Sequence, residues 1–275
     1  MSLIDFVLHD CSVCILQFLT KPQRNFLPLT SQKLNQFYIT NEYKPIPLKR
    51  FDGYRIVDRA VVENNIEAVT WLIKNGYDSD TLAETAAEHG YLDILKKGKE
   101  YGCRLDKWIC IRAAEQGHLH ILEWAHSNGV ELDTSTTDIC DSAAETGRID
   151  ILKWARKREC SWNENTFALM AKGNHLDMMK WAKSNGCEWN VKSTVMAGGF
   201  GNLEALIWLV EEGCEWGKWT CTIAADEGHL NIIQWAVNNN KEYDCNNVMI
   251  HAEKSGNKYI TTWLESALMS KDHHT

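Results

Sequence analysis

The chain has 275 residues, of which 44% are hydrophobic and 24% are charged, values typical of a folded, water-soluble protein. Its formal net charge of −8 argues against DNA or RNA as the main partner, because phosphate binding needs a basic face. No run approaches the ~18 apolar residues of a membrane span, and the start MSLIDFVLHD lacks the features of a signal peptide.

Without a signal peptide, the ten cysteines suggest a reducing compartment and no disulfide framework. We therefore expect a cytoplasmic protein, and we expect no membrane partner because no membrane span is present. All four prolines lie within the first 47 residues. The long stretch that follows has none, which favours helices throughout.

Residues 1–45 are predicted to form a helical head. The segment VLHDCSVCILQFLTKPQRNFLPLTSQKLNQFY (7–38) resembles an F-box, with an apolar core and a break at proline. The opening proline of that motif is absent, and Leu34 stands where tryptophan is usual. The resemblance implies binding to the adaptor subunit of an SCF-type ubiquitin ligase through Leu8, Ile15, Leu16, Leu19 and Pro22. The alternative is a helical cap that shields the first repeat, as solenoids require.

Residues 46–55 are predicted to be a linker, residues 56–268 a repeat array and residues 269–275 a disordered tail. Aligning AAEHGYLDIL, AAEQGHLHIL and AAETGRIDIL with weaker copies gives a period of about 27 residues. Each unit contains one residue that we call its pivot, and the first, weaker copy pivots on Asn64. The other pivots are Gly90, Gly117, Gly147, Asn174, Gly201, Gly228 and Gly256.

Each unit reads as two short helices joined at the pivot, where glycine or asparagine suits a left-handed cap. Tryptophan stands seven residues after most pivots, as at Trp124 and Trp154. Sixteen residues after the pivots stand candidate N-caps of the next unit: Asp80, Asp106, Asp133, Asn163, Asn190, Gly217 and Asp244. Such a hairpin cannot bury its apolar face alone, so we predict an all-α fold, an α-solenoid of about eight hairpins.

These units resemble the ankyrin repeat, which AAEQGHLHILEWAHSNGVELD (113–133) matches almost position by position. Only six residues separate Asn190 from Ala197, so the projecting β-turn finger of that family should be missing. The repeat array looks like the Trp-rich divergent ankyrin arrays of giant DNA viruses and some protists. The resemblance implies a non-catalytic, cofactor-free scaffold that binds a protein partner, and we expect a monomer.

In the ankyrin family, partners meet the turn before the first helix and the exposed side of that helix. The corresponding residues vary between units: Lys107, Trp108, Asp138, Asn165, Lys192 and Trp219. We expect Trp108 and Trp219 to carry the most binding energy, because tryptophan is enriched among such residues. The alternative is that both brace the neighbouring turn.

The stretch HLHILEWAH (118–126) contains three histidines and a glutamate, which raises the question of a metal site. Residues two apart on a helix point about 200° from each other, so His118 and His120 should not share an ion. Glu123 and His126 share a face, but two ligands do not make a zinc site. We therefore predict no metal, and a histidine after the pivot that hydrogen-bonds between helix turns.

Most cysteines also occupy repeat positions, which predicts small, buried apolar groups rather than ligands. Equivalent residues of stacked hairpins lie ~8–10 Å apart, too far for a disulfide. The Cys11-x-x-Cys14 pair has no second pair to complete a metal site. No nucleophile-elbow, P-loop or zinc-protease motif occurs. An enzyme with a pocket at the head–array junction is the remaining alternative.

Overall fold

The computed structural model describes residues 53–74 and 81–272, with side chains for residues 57–74 and 81–267. Over these residues the chain forms sixteen α-helices and no strand. The six helices of the first part are α1 Gly53–Val62, α2 Ile66–Lys74, α3 Leu82–Glu88, α4 Leu92–Glu100, α5 Lys107–Gln116 and α6 Leu119–Ser127. The ten of the second part are α7 Asp138–Thr146, α8 Ile149–Arg156, α9 Glu164–Lys172, α10 Leu176–Ser184, α11 Val191–Gly199, α12 Leu203–Glu211, α13 Thr220–Asp226, α14 Leu230–Asn238, α15 Cys245–Lys254 and α16 Lys258–Asp272.

The chain divides into two compact units, Met1–Glu131 and Leu132–Thr275. Within the described residues, the first unit holds three helical hairpins and the second holds five. In each unit the first helices of successive hairpins pack against one another, α1 to α3 to α5 and α7 through α9, α11 and α13 to α15. The predicted all-α architecture of stacked short hairpins is therefore confirmed within each unit.

The pivots hold the left-handed backbone that the sequence predicts. All eight have positive φ, between 50° at Asn64 and 86° at Gly228. Gly117, for example, ends α5 with φ 82° and ψ 23°. Glycine reaches this region without steric cost, and asparagine tolerates it better than most residues. The pivot turns the chain from the first helix of a hairpin into the second.

Small residues let the first helices approach closely. The pairs Ala113–Ala114, Ala143–Ala144 and Ala224–Ala225 are fully buried at the ends of α5, α7 and α13. Leucine, isoleucine and methionine of the second helices, such as Leu122 and Met179, fill the space behind them. The core of each unit thus runs between the two helices of every hairpin.

Of the seven predicted N-caps, four are confirmed, two are wrong, and Asp80 lies outside the described residues. Asp106, Asn163, Asn190 and Asp244 accept backbone N–H bonds at helix starts, as predicted. However, Gly147 follows Gly117 by 30 residues instead of about 27, and this three-residue insertion near residues 134–137 delays α7, which begins after Thr137. Asp133 instead accepts from the Ser135 hydroxyl at 2.6 Å.

The second wrong N-cap is Gly217. It has no side chain to cap with, and α13 starts three residues later, at Thr220. The Gly217 N–H donates to Thr194 Oγ1 at 3.1 Å. A Cβ atom at this position would lie 2.3 Å from Val195 Cγ2, so the residue is selected for close packing.

The ends of the described array differ slightly from the expected boundaries. Helix α1 begins at Gly53, inside the segment predicted as a linker, and α16 continues to Asp272, inside the segment predicted as a tail. The predicted head, residues 1–45, lies outside the described residues. Among the helices that the structure does describe, none is long and apolar enough to cross a membrane.

Candidate binding face

In four hairpins the histidine or asparagine that follows the pivot bonds to the preceding hairpin. His118 Nε2 and His175 Nε2 lie 3.0 and 3.2 Å from backbone carbonyl oxygens at the end of the preceding hairpin's first helix, those of Glu88 and Glu145. Asn202 and Asn257 use their side-chain amides in the same way, donating to Ala171, Lys172, Ala225 and Asp226. Helix C-termini leave such carbonyls without intrahelical partners, so these bonds satisfy them.

These bonds correct the role predicted for the histidines. His118 bonds between hairpins rather than between the turns of its own helices. The signal was present in the sequence, because six hairpins place histidine or asparagine directly after the pivot: Asn65, His118, His175, Asn202, His229 and Asn257. What the sequence did not show was the partner about 30 residues earlier. The bonds help set the spacing of the first helices, and with it the geometry of their exposed side.

His118 and His120 lie closer together than helical geometry predicted. Their ring centroids lie 5.8 Å apart, because His118 precedes α6 with φ −91° and ψ 68° and the helical angle does not apply. The two rings nevertheless face different acceptors, since His120 Nε2 lies 3.3 Å from the Gly90 carbonyl oxygen. In the part of the chain with described side chains, no three His, Cys, Asp or Glu residues are grouped to hold a metal.

Six cysteines of the described residues are buried, as predicted, whereas Cys103 and Cys245 are partly exposed. Burial raises the pKa of the Cys140, Cys187 and Cys221 thiols to about 12 and that of Cys214 to about 11. Cys140, Cys160, Cys187, Cys214 and Cys221 form no disulfide. A thiol with so high a pKa supplies almost no thiolate near neutral pH, which makes it a poor nucleophile and a poor metal ligand.

The predicted binding residues all lie at the start of the first helix of a hairpin. Lys107 and Trp108 open α5 in the first unit. Asp138, Asn165, Lys192 and Trp219 occupy corresponding places at α7, α9, α11 and α13 in the second. All are exposed except Lys107, which is half-buried. The predicted adaptor-binding residues, Leu8, Ile15, Leu16, Leu19 and Pro22, lie outside the described part of the chain.

Trp108 and Trp219 are unusual among the tryptophans in their exposure. Their side chains are 47% and 49% exposed, so neither fills a core position. Each carries the ammonium of the preceding lysine near its ring, with Lys107 Nζ at 6.0 Å and Lys218 Nζ at 5.6 Å from the ring centroid. Both tryptophans stand nine residues before a pivot. The same lysine–tryptophan pair therefore occurs once in each of the two compact units.

Other tryptophans join neighbouring hairpins of the second unit. A tryptophan fifteen residues after one pivot meets the tryptophan seven residues after the next, with ring centroids 5.8 to 6.1 Å apart. The pairs are Trp162 with Trp181, Trp189 with Trp208, and Trp216 with Trp235. Lys183 Nζ adds a cation–π contact 4.1 Å from the Trp189 ring centroid. These aromatic residues contribute to hairpin stacking.

The chain matches no protein-family model and no curated protein. Among solved structures it is similar to the ankyrin repeat domain of human ASB11, with a TM-score of 0.47 and 16% sequence identity. The similarity covers 57% of this chain and 82% of that chain.

Proposed function

We propose that this protein is a non-catalytic scaffold that binds a protein partner through the exposed side of its first helices. The observation that carries this proposal is the half-exposed pair of tryptophans, Trp108 and Trp219, at one register position in two hairpins. A large aromatic side chain held half in water, with a cation beside it, is the kind of residue that contributes most to protein interfaces.

The repeat supplies an internal comparison that supports this proposal. The position nine residues before the pivot holds Trp108, Asp138, Asn165, Lys192 and Trp219 in successive hairpins. All five hairpins consist of two short helices, whichever residue stands at this position. The stacked architecture therefore does not require tryptophan there. A side chain that the fold does not require, and that half faces water, is available to a partner.

A narrower proposal concerns the head. The resemblance of residues 7–38 to an F-box supports a role as the substrate-recruiting subunit of an SCF-type ubiquitin ligase. In that role the head would bind the ligase adaptor, and the hairpins would bind the target. If the head only caps the first hairpin, the protein is a stand-alone binding module.

Full-length variants test the scaffold proposal. Trp108→Ala and Trp219→Ala, alone and combined, should lower recovery of cross-linked partner proteins from cells while circular dichroism and melting temperature stay close to wild type. Trp71→Ala is the control, because Trp71 is 40% exposed but lies on a second helix, α2. If the combined variant loses stability and keeps every partner, the tryptophans brace the fold and the proposal is wrong.

The ligase proposal has its own test in the full-length chain. Leu8→Asp and Pro22→Asp should abolish co-purification of the adaptor, because they place charge on the predicted apolar contact. Partner capture by the hairpins and the helical circular dichroism should remain. An adaptor that never co-purifies with the wild-type protein would leave the head as a cap.

A further inference from the structure

The second unit exposes a group of apolar side chains on its first helices. We call it the apolar face. Three members are about half exposed, Phe200 at 51%, Trp219 at 49% and Ile250 at 44%. The other three are Val195, Met196 and Ile223. Each of them is partly exposed and lies among the first three. All six lie on or next to α11, α13 and α15.

Close contacts join the α11 and α13 parts of the apolar face, and α15 packs beside them. Helix α13 packs directly against α11 on one side and α15 on the other. A Cβ atom at Gly199 would lie 2.7 Å from Ile223 Cγ2, and one at Gly217 would lie 2.3 Å from Val195 Cγ2. Because neither residue has a side chain, the Ile223 methyl group can lie against the backbone of Gly199. The Val195 methyl group lies against the backbone of Gly217 in the same way.

The fold does not require apolar residues at these positions. Six residues before the pivot, where this face has Val195 and Ile250, three other hairpins carry the carboxylates of Asp58, Glu84 and Asp141. Five residues before the pivot, where it has Met196 and Ile223, other hairpins carry Arg59, Arg112 and Ser142.

The position two residues before the pivot shows the same contrast. Six hairpins carry a charge there: Glu88, Glu115, Glu145, Lys172, Asp226 and Lys254. The hairpin of α1 carries Val62 there, and the hairpin of α11 carries glycine, Gly199, followed by the exposed Phe200. Because the charged hairpins fold equally well, hairpin stacking does not explain the apolar face. Contiguous exposed apolar surface of this kind marks an interaction site.

Charges border the apolar face unequally. At the end of the first helices, Lys172 pairs with Glu145 at 2.6 Å and His251 with Asp226 at 2.8 Å, so these groups already have partners. At the start of the first helices, Lys192 and Lys218 are exposed, and neither forms an ion pair with any residue whose side chain the structure describes. Lys192 stands in the first turn of α11, where a cation opposes the helix dipole, so helix stability does not account for it.

Resting on the scaffold proposal, we infer that the apolar face binds a short amphipathic segment of another protein that carries carboxylates beside its apolar residues. The apolar side chains of the segment cover Val195, Ile223 and Ile250. Its carboxylates lie at the Lys192 and Lys218 edge, where they neutralise the two unpaired ammonium groups. This charge complementarity fixes the orientation of the segment and excludes basic segments from that edge.

A library of random peptides displayed on phage, selected on the immobilised full-length protein, is the probe. Enriched peptides should combine several apolar residues with aspartate or glutamate. The affinity of one synthetic enriched peptide is then measured by fluorescence anisotropy at low and high salt. Lys192→Glu combined with Lys218→Glu should weaken binding about tenfold or more, with less effect of salt on what remains.

Matched variants separate the two parts of the site. Lys180→Glu makes the charge change of either single substitution, Lys192→Glu or Lys218→Glu, at an exposed lysine on the second helix α10, and should change affinity by less than about twofold. Ile250→Ser should weaken the peptide while circular dichroism stays helical, because Ile250 is largely solvent-exposed. If Ile250→Ser unfolds the chain, the exposed lysine variants still decide the question.

Three results would overturn the inference. These are a selection that enriches no peptide, enriched peptides that bind equally to wild type and the lysine variants, and sedimentation showing that the face joins two copies of this chain. Each of these leaves the scaffold proposal standing if the tryptophan variants still lose a cellular partner. Failure of that capture experiment, with peptide binding intact, would instead place the binding energy on Val195, Ile223 and Ile250 and not on the two tryptophans.

Discussion

The imidazole of His175 lies against Gly147, the pivot of the preceding hairpin. A Cβ atom on Gly147 would lie 2.5 Å from His175 Cε1, much closer than van der Waals contact allows. The ring is held there by its Nε2, which lies 3.2 Å from the Glu145 carbonyl oxygen. Gly147 is therefore selected twice, once for its φ of 74° and once for the space that its neighbour's ring occupies.

Gly147→Ala should destabilise the protein more than the backbone strain alone explains. The left-handed conformation costs alanine roughly 1–2 kcal/mol, and displacing His175 should add about 1 kcal/mol for the lost hydrogen bond. Gly186→Ala is the control, since Gly186 has φ 81° but nothing within 4 Å of its added Cβ. Urea denaturation measures both. Gly147→Ala in a His175→Ala background should cost only as much as Gly186→Ala; an unchanged cost would show that the ring does not matter.

Asn202→Ala should weaken the stacking of the α11–α12 hairpin on the α9–α10 hairpin. The Asn202 amide donates to the Ala171 carbonyl at 3.0 Å and the Lys172 carbonyl at 2.6 Å. Losing these bonds at a partly buried site should cost about 1–2 kcal/mol. The exposed Asn238 provides the comparison, because Asn238→Ala should change the free energy of unfolding by less than about 0.5 kcal/mol. Equal effects of the two substitutions would remove the role assigned to Asn202.

Stability should fall with rising pH in alkaline solution because of the buried thiols. Burial raises the Cys221 pKa from 9.0 to about 12, so between these values the unfolded chain loses the proton and the folded chain keeps it. Its contribution is complete below pH 9 and falls as pH rises toward 12, by roughly 1.4 kcal/mol per pH unit. Cys221→Ala should therefore show a shallower loss between about pH 8 and pH 10 by urea denaturation under reducing conditions. Parallel pH curves for wild type and variant would contradict this.

Truncation of two tryptophans of the second unit should lower the free energy of unfolding by very different amounts. Trp154 is 6% exposed, so Trp154→Ala should leave a cavity and cost about 3–5 kcal/mol. Trp219 is 49% exposed, so Trp219→Ala should cost about 1 kcal/mol or less. Thermal denaturation followed by circular dichroism gives both values. A large loss for Trp219→Ala would mean that the residue supports its neighbouring turn, and the proposed binding role would lose its main support.

The sequence by itself determined the repeat and the hairpin. Glycine or asparagine at the pivots, and Asp106, Asn163 and Asn190 at helix starts, act through local backbone geometry that each short segment contains. Because the period repeats these signals, one correct assignment carries over to most of the other hairpins. Burial of the cysteines followed from the same periodicity, which assigns equivalent residues to equivalent environments.

The tertiary structure decided which side chains meet across hairpins. The His118–Glu88 bond, the Gly147–His175 contact and the apolar face all join residues from different hairpins. Their geometry depends on how far one hairpin is shifted and rotated on the next, which no single segment encodes. Two predictions failed because a helix begins later than the repeat pattern predicted. His118 precedes α6 instead of lying within it, and Asp133 precedes an insertion that delays α7. Local preferences therefore specify the hairpins, while packing between hairpins specifies the surface that a partner meets.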